Sequence, residues 1–171
     1  GVNWYREAQA NAREMSDLQG IDVEAAAQVI AALSPGARWE RNLRDAWALT
    51  SCLFMDGNPD RVPCTTYPPN KTKAIAIWCA AAEGRPYAGI LKGPKVTAFA
   101  RNIATGGEGD DVTVDFHAYG IARARKFTTS TAIFGAPEYR LIAAAYRKVA
   151  EDVGVTAPQL QAITWLVWRR L

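Results

Sequence analysis

The sequence predicts an all-α fold, and three observations support this prediction. Apolar residues recur at helical spacing through most of the chain. Glycine and proline divide the chain into pieces of helix length, and no alternation of apolar and polar residues is long enough for a sheet. The chain has 171 residues, of which 49% are hydrophobic and 22% charged, which suits one core. We therefore expect residues 1 to 171 to form a single compact unit.

Three helices are predicted in the first third of the chain. A polar stretch near residues 3 to 16 indicates the first helix. The run DVEAAAQVIAAL indicates the second, which begins after the N-cap Asp22 and stops before Pro35. In ARWERNLRDAWALTSCLF, Trp39 and Leu43 stand at helical spacing and indicate the third.

The middle of the chain predicts a loop, a helix and a helix-hairpin-helix motif. Residues 55 to 69 are rich in glycine, asparagine, aspartate and proline, which is typical of a surface loop. We expect Asn70 to cap the helix KTKAIAIWCAAAE, with Gly84 after its end. In PYAGILKGPKVTAFARNIA, the tight LKG turn separates two helices, and Pro94 suits the first position of the second.

Three helices are predicted towards the end of the chain. We expect a short helix between Arg123 and Ala136. A longer one, PEYRLIAAAYRKVAEDVG, ends at Gly154. Thr156 and Pro158 then open the final helix, TAPQLQAITWLVWRRL.

Charge and cysteine content narrow the class of protein without deciding it. The net charge of +3 suits a polyanionic partner and also many proteins that never bind one. Three cysteines without a C-x-x-C pair indicate neither a disulfide scaffold nor a cysteine-bound metal. We expect a reducing, intracellular location, in the cytoplasm or nucleoid, or in a host cell if the protein is viral. No apolar run reaches the length of a membrane span.

The run VTVDFHAY places one acid and the only histidine of the chain among apolar and aromatic residues. Asp115 precedes a predicted helix, where an aspartate accepts backbone N–H groups as an N-cap. A cap alone explains the residue, and a functional carboxylate is the alternative. His117 suits a structural role or a phosphate contact equally, and no metal site is indicated because neighbouring ligands are lacking.

Lys95 follows Pro94 and therefore lies in the first turn of its predicted helix. A helix over about 94 to 104 rises roughly 15 Å. The stretch that follows can span about 30 Å when extended, which is long enough to return to the same end. Lys95 and Asp115 can therefore meet, as a nucleophile beside a stabilising carboxylate. Taken alone, Lys95 is explained as a solvated surface lysine.

These residues carry a resemblance to a known family. GPKVTAF followed by VTVDFHAYGIA resembles the hairpin motif and the VD-x-H segment of the helix-hairpin-helix (HhH-GPD) DNA glycosylases. The KV pair and the spacing are similar to those of 8-oxoguanine glycosylases. IAALSPGARWERNLRDAWAL is similar to the early helix pair of the family, and NKTKAIAIWCAAAEG to the helix before its hairpin. The final helix, with Trp165, Trp168 and Arg169, matches the helix that lines the base pocket in endonuclease III-like proteins. The resemblance covers residues from about 25 to 171.

The resemblance implies a fold and an activity. Two helical subdomains would flank the hairpin motif, at about 86 to 104, and a catalytic segment, at about 112 to 120. The protein would be a DNA glycosylase with abasic-site lyase activity in DNA repair or DNA modification. Lys95 matches the lysine that attacks the sugar C1′, and Asp115 matches the aspartate that stabilises the oxocarbenium-like sugar.

The resemblance also implies contacts to double-stranded DNA that carries a damaged or modified base. The DNA-binding set would be Lys92, Gly93, His117, Arg38 and Arg101, and the base pocket would include Trp165 and Trp168. The residue that would enter the base stack is a guess: Arg38, with Trp39 as the alternative. A monomer with no cofactor is expected, apart from a monovalent cation at the hairpin.

The sequence departs from the family pattern in three places. The hairpin reads Ile90-Leu91-Lys92-Gly93 and keeps only the second glycine of the usual L-P-G-x-G. Residues 35 to 37 replace the usual glutamine. No cysteine follows Cys79, so the iron–sulfur cluster of endonuclease III is not expected.

Several alternatives stay open at this point. Trp4, Trp39, Trp47 and Trp78 are more typical of a core than of a pocket, and packing also explains Trp165 and Trp168. Some basic residues flank the site in sequence and form either a solvated face or a DNA track: Lys71, Lys73, Lys92, Arg101, Arg123, Arg125 and Lys126. The alternative functions are a non-catalytic DNA-binding module and a base-modification enzyme. The sequence does not name the base.

Overall fold

The structure is a computed structural model that describes residues 1–170, and it is all-α, as predicted. Within these residues there are eight α-helices, one 3-10 helix at Pro59–Arg61 and no strand. The α-helices are α1 Trp4–Gln19, α2 Val23–Leu33, α3 Trp39–Phe54, α4 Pro68–Ala82, α5 Pro94–Thr105, α6 Phe116–Ala122, α7 Ala136–Val153 and α8 Ala157–Arg170.

Several predicted helix ends are confirmed. The side chain of Asp22 accepts a 2.8 Å hydrogen bond from the backbone N–H of Ala25 and caps α2. Gly154 ends α7 in the left-handed conformation, with φ of 71°. Thr156 and Gln159 form a reciprocal capping box, because each side chain accepts from the backbone N–H of the other residue.

The predicted cap of α4 is wrong by three residues. The helix begins at Pro68, with Tyr67 as its N-cap, and Asn70 lies inside the first turn. Pro68 suits the first position because its fixed φ is helical and an N–H there has no partner within the helix. The Asn70 side chain instead donates to the Thr66 hydroxyl at 3.1 Å.

Only the second helix of the predicted hairpin motif forms. Residues 86–93 form turns, and α5 then starts at Pro94 as predicted. Gly89 adopts φ of 83°, a left-handed conformation that interrupts a helix. The turn before it is closed by a hydrogen bond from the N–H of Ile90 to the carbonyl of Tyr87.

The short helix predicted between Arg123 and Ala136 is also absent. The helix in this region is α6, which ends at Ala122, and residues 123–135 are irregular. Threonine hydroxyls take the hydrogen bonds that a helix would use, because the N–H of Thr128 donates to Oγ1 of Thr131 at 2.8 Å.

The core consists of two hydrophobic clusters. The larger surrounds α2, which buries almost its whole surface against α4 and α5 because alanine allows close approach. The smaller joins Val112 and Val114 to apolar residues of α6, α7 and α8. Ala162 of α8 belongs to the larger cluster, so this helix contacts both. Among the described residues, no helix is long and apolar enough to cross a membrane.

Candidate active site

Asp115 is the N-cap of α6. Its Oδ1 accepts a 2.8 Å hydrogen bond from the backbone N–H of Ala118. Within residues 1–170, Oδ2 makes no hydrogen bond, and the side chain is half-buried. One carboxylate oxygen therefore holds the helix, and the other is left for a further partner.

The segment Val112 to Val114 leads to Asp115, and the N–H of Val114 donates to the carbonyl of Val112 at 3.2 Å. Side chains of other helices hold this segment in place of a neighbouring strand. Gln161 of α8 accepts from the backbone N–H of Thr113 at 2.8 Å and donates to its carbonyl. The hydroxyl of Tyr139, on α7, donates to the carbonyl of Val112 at 2.7 Å and accepts from the N–H of Val114 at 3.3 Å. The backbone before Asp115 is thus fixed on both sides.

Two more helices hold the same segment. Asn102, buried on α5, donates a 2.9 Å hydrogen bond to the carbonyl of Asp111. Tyr5, on α1, lies near Thr113 and Asn102, and burial raises the pKa of Tyr5 to about 12. The approach to Asp115 is therefore supported by α1, α5, α7 and α8 together.

Lys95 stands in the first turn of α5, exposed to solvent. Within the described part of the chain, its amine makes no hydrogen bond and no ion pair. Phe99 lies one turn further along the same face of α5 and packs against the rings of Trp4, Tyr5 and Trp39. Lys95 therefore stands at the edge of an aromatic cluster.

The charged residues of the candidate site act on the imidazole of His117. Burial is the largest cause that lowers the pKa of His117. Asp115 opposes this effect, while the positive charges of Arg169, Lys126 and Lys95 add to it. The charges of Lys95 and Asp115 thus both act on the same imidazole, in opposite directions.

The aromatic cluster includes three of the tryptophans assigned to core or pocket from the sequence. The Trp4 ring centroid lies 4.8 Å from that of Trp39 and 6.3 Å from that of Trp165. These rings are half-buried, so they are neither full core nor open pocket. His117 meets the edge of Trp165 at 6.1 Å. By contrast, Trp78 is buried and donates to Gln19 at 2.9 Å, as a core residue does.

The turn before α5 keeps Lys92 exposed and Gly93 in a conformation that suits glycine. Gly93 has φ of 101°, and its carbonyl accepts from the backbone N–H of Thr97. A Cβ at Gly93 would meet only Val96 at 3.7 Å, so backbone conformation and not lack of space requires glycine here. Arg38 is the exposed residue that precedes α3.

Arg101 does not share the face of Lys95. Six residues of helix place it about 240° further round α5 and about 9 Å along it. It forms an ion pair with Asp111 at 3.4 Å and lines a cavity of about 160 Å³ together with Glu24 and Thr97. The structure therefore places Arg101 on a different face of α5 from Lys95, beside a cavity that the turn residues Gly89 and Leu91 also line.

Two cavities of the structure lie away from Lys95 and Asp115. Besides the cavity at Arg101, an open one of about 420 Å³ lies between the loop at Glu108 and the helix α7, near Arg147 and Glu151. Neither is lined by Lys95, Asp115 or His117. Among residues 1–170, no group of three or more histidine, cysteine, aspartate or glutamate side chains is arranged to hold a metal ion.

Sequence analysis missed the residues that position Asp115. Tyr5, Asn102, Tyr139 and Gln161 lie on four different helices, and nothing in their local sequence pairs them with residues 111–114. The only available signal was a polar residue, Gln161, on the apolar side of the last helix. Such a residue indicates a buried hydrogen bond without naming its partner.

A family model described as "Family of unknown function (DUF7178)" matches residues 1–171. The chain belongs to this family. No curated protein and no solved structure matches the chain. The family match covers Lys95, the extended segment and Asp115, and it assigns no activity to them.

Protonation of His117 should destabilise the fold. Because the pKa of His117 is lower than its usual value of 6.5, the unfolded chain binds a proton more readily than the folded protein. The free energy of unfolding should therefore fall as the pH is lowered below about 6.5. Urea titrations of the wild type and His117→Phe between about pH 5.5 and 7.5 measure this contribution. An equal pH dependence of the free energy of unfolding in both proteins would show that His117 does not cause it.

Loss of the Gln161 contacts should destabilise the protein strongly. Gln161→Leu leaves the buried N–H and carbonyl of Thr113 without partners, at a cost of about 1–3 kcal/mol each. Gln161→Glu keeps the acceptor but buries a charge and turns a second oxygen towards the carbonyl of Thr113, so its loss should be at least as large. Gln28→Leu, at a partly exposed site on α2, is the control and should change little. Urea denaturation measures the stability of all three variants. Equal midpoints for Gln161→Leu and the control would show that the contacts of Gln161 with Thr113 do not stabilise the protein.

Proposed function

We propose that the protein is a DNA glycosylase of the helix-hairpin-helix type, with abasic-site lyase activity. The single observation that carries the proposal is that Asp115 caps α6 with one oxygen after a segment held by Gln161 and Tyr139, while Lys95 stands exposed in the first turn of α5. A turn, a helix with a lysine in its first turn, an extended segment and an aspartate N-cap follow in the order that the family resemblance implies. The two hydrophobic clusters would form the cores of the two helical subdomains in this proposal.

The proposed reaction uses the Lys95 amine as a nucleophile. Its lone pair attacks C1′ of an extruded nucleotide, the bond from C1′ to the base breaks, and the base leaves with the bonding electrons and takes up a proton. Opening of the sugar ring gives an iminium between Nζ and C1′. Loss of a C2′ proton then expels the 3′ phosphate by β-elimination. An exposed amine without an ion pair suits this role.

Asp115 would stabilise the positive charge that develops on the sugar as the base departs. Its Oδ1 is held by the N–H of Ala118, and Oδ2 makes no hydrogen bond among the described residues. A carboxylate that is already oriented does not need to reorganise during the reaction. Gln161 and Tyr139 support this orientation through the backbone of the preceding segment.

The substrate of the proposed reaction is a damaged or modified base in double-stranded DNA. A stacked nucleotide hides its C1′, so the base has to leave the helix at a cost of a few kcal/mol. Trp165 and Trp168 would offer half-buried rings at the edge of the site for the extruded base. Lys92, Gly93, His117 and Arg38 would contact the DNA. Arg101, on another face of α5, would contribute less.

A second candidate is a DNA-binding module of the same fold without catalysis. Two observations favour it: the first helix of the hairpin is replaced by turns, and neither cavity described above is lined by Lys95 or Asp115. A base-modification enzyme that holds its substrate through Lys95 is a further alternative, which a product with an intact bond from base to sugar would indicate.

Borohydride trapping tests the role of Lys95. Hydride addition to the iminium should give a stable protein–DNA adduct with a duplex that contains an abasic site, and the strand should be cut on the 3′ side. Lys95→Gln keeps length and polarity but forms no iminium, so trapping should be lost while DNA affinity changes less than about threefold. Denaturing gel electrophoresis measures both products.

Lys92→Gln is the matched control for this test, because Lys92 is the neighbouring exposed lysine. It should still be trapped. Adduct formation that persists in Lys95→Gln and disappears in Lys92→Gln would move the nucleophile to Lys92. No adduct with any abasic, uracil, oxidised-purine, oxidised-pyrimidine or modified-thymine duplex would favour the binding module.

Asp115→Asn separates the cap from the charge. Asparagine caps a helix about as well as aspartate, so the melting temperature should shift by less than a few degrees. Base release and adduct formation should fall by about 100-fold or more, because the stabilising charge is lost. Single-turnover kinetics and thermal melting measure the two effects. Full activity in a well-folded Asp115→Asn protein would show that the carboxylate acts only as a helix cap.

A further inference from the structure

The end of α8 and the loop after α6 carry four exposed basic residues that we call the α8 cation face: Arg125, Lys126, Arg169 and Arg170. Within residues 1–170, none of the four forms an ion pair with a carboxylate. Nearby basic residues differ, because Arg123 pairs with Glu138 at 2.6 Å and Arg101 pairs with Asp111 at 3.4 Å. The positive charge of the α8 cation face is therefore not neutralised by these contacts.

Aromatic rings hold three of these cations in place. The Lys126 amine lies 4.4 Å from the centroid of the Trp168 ring, and the Arg169 guanidinium lies 4.5 Å from that of Trp165. Arg125 lies 5.4 Å from the ring of Phe127. Contact with an aromatic face restricts a long side chain but does not neutralise its charge. Less side-chain entropy is therefore lost when an anion binds.

The side chains of Lys126 and Arg169 are held by different contacts. Lys126 donates a hydrogen bond to the carbonyl of Trp168, and cations are favoured at the carboxyl end of a helix. Arg169 makes no hydrogen bond within the described residues, and packing on Trp165 uses only the flat face of its guanidinium. Its N–H groups are left for an acceptor outside the protein. A helix-capping role alone therefore does not account for the face.

The α8 cation face is continuous with the candidate site. Arg169 and Lys126 both lower the pKa of His117, as Lys95 does. The ring of Trp165, beneath Arg169, is perpendicular to that of His117, with the two ring centroids 6.1 Å apart. Gly120 allows the loop to reach this position, because a Cβ there would lie 2.7 Å from the carbonyl oxygen of Arg125 and 3.5 Å from Trp168.

We infer that the α8 cation face binds the phosphodiester backbone of DNA, as a second contact separate from the turn at Lys92 and Gly93. The identity of the polyanion rests on the proposed function, whereas the placement of the contact rests on the unpaired cations beside His117. Arg125, Lys126 and Arg169 would each neutralise about one phosphate. Of the basic residues that flank the site in sequence, Arg101 and Arg123 are excluded from this contact because carboxylates already pair with them.

The test compares two triple variants that lose the same charge. One replaces Arg125, Lys126 and Arg169 with glutamine, and the control replaces Arg13, Arg44 and Arg140, which are exposed on α1, α3 and α7. The ligand is a fluorescein-labelled duplex with a tetrahydrofuran abasic analogue, and anisotropy is measured from about 50 to 200 mM salt. Circular dichroism and thermal melting verify that both variants fold.

The face variant should bind at least about tenfold more weakly than the control in 100 mM salt. The slope of log affinity against log salt should be shallower by about 2 to 3, because about three fewer counterions are released. Lys126→Arg with Arg169→Lys keeps the charges and should restore binding to within about threefold of wild type. Glutamine keeps part of each side chain over its ring, which limits the loss of packing.

Three results would overturn the inference, and the first two would leave the proposed function standing. Equal weakening in the two triple variants would mean that only net charge matters. An unchanged affinity and slope in the face variant, with weaker binding by Lys92→Ala, would keep DNA binding and remove this contact. Binding of the wild type to phosphatidylserine vesicles but not to the duplex would refute both. DNA binding through the face without any adduct formation would support the inference while the proposed catalysis fails.

Discussion

A buried extended segment with no neighbouring strand is the constraint on which the C-terminal half of the protein depends. Residues 112–114 are buried, so their backbone N–H and carbonyl groups need partners other than water. Gln161 and Tyr139 supply these partners, and Asn102 holds the preceding carbonyl. Each of these side chains is on a different helix. The hydrogen bonds to the backbone of this one short segment therefore fix the relative positions of α5, α7 and α8. The position of Asp115 follows from the same contacts.

Electrostatics around His117 link this scaffold to the surface. Burial lowers the pKa of the imidazole, the positive charges of Arg169, Lys126 and Lys95 lower it further, and the charge of Asp115 opposes them. The aromatic cluster separates these charges from the larger hydrophobic core. The result is a positively charged surface that stands on half-buried rings and leads to one carboxylate and one exposed lysine. This arrangement suits an anionic substrate whose reaction develops positive charge at a single atom.

Local features of the fold were predictable from the sequence, and features that depend on distant residues were not. The Asp22 cap, the Gly154 helix end and Pro94 at the start of α5 follow from the chemistry of single residues. The prediction failed at Asn70, where Pro68 starts the helix earlier, and in 86–93 and 123–135, where left-handed residues and threonine hydroxyls interrupt helices. In the site, the helix positions of Lys95 and Asp115 were predictable. Gln161 and Tyr139 were not, because their partners lie 48 and 27 residues away.

The contacts of Gln161 bear on how sequences related to this one can vary. The amide of Gln161 binds only the backbone of residue 113, and a backbone is common to every amino acid except proline, which lacks the N–H. The contact with Gln161 therefore does not depend on the side chain of residue 113, whose hydroxyl here accepts from Asn102 at 3.5 Å, while position 161 has to keep a group that both donates and accepts. A glutamine that stays constant opposite a variable residue would be the expected record of this contact in an alignment.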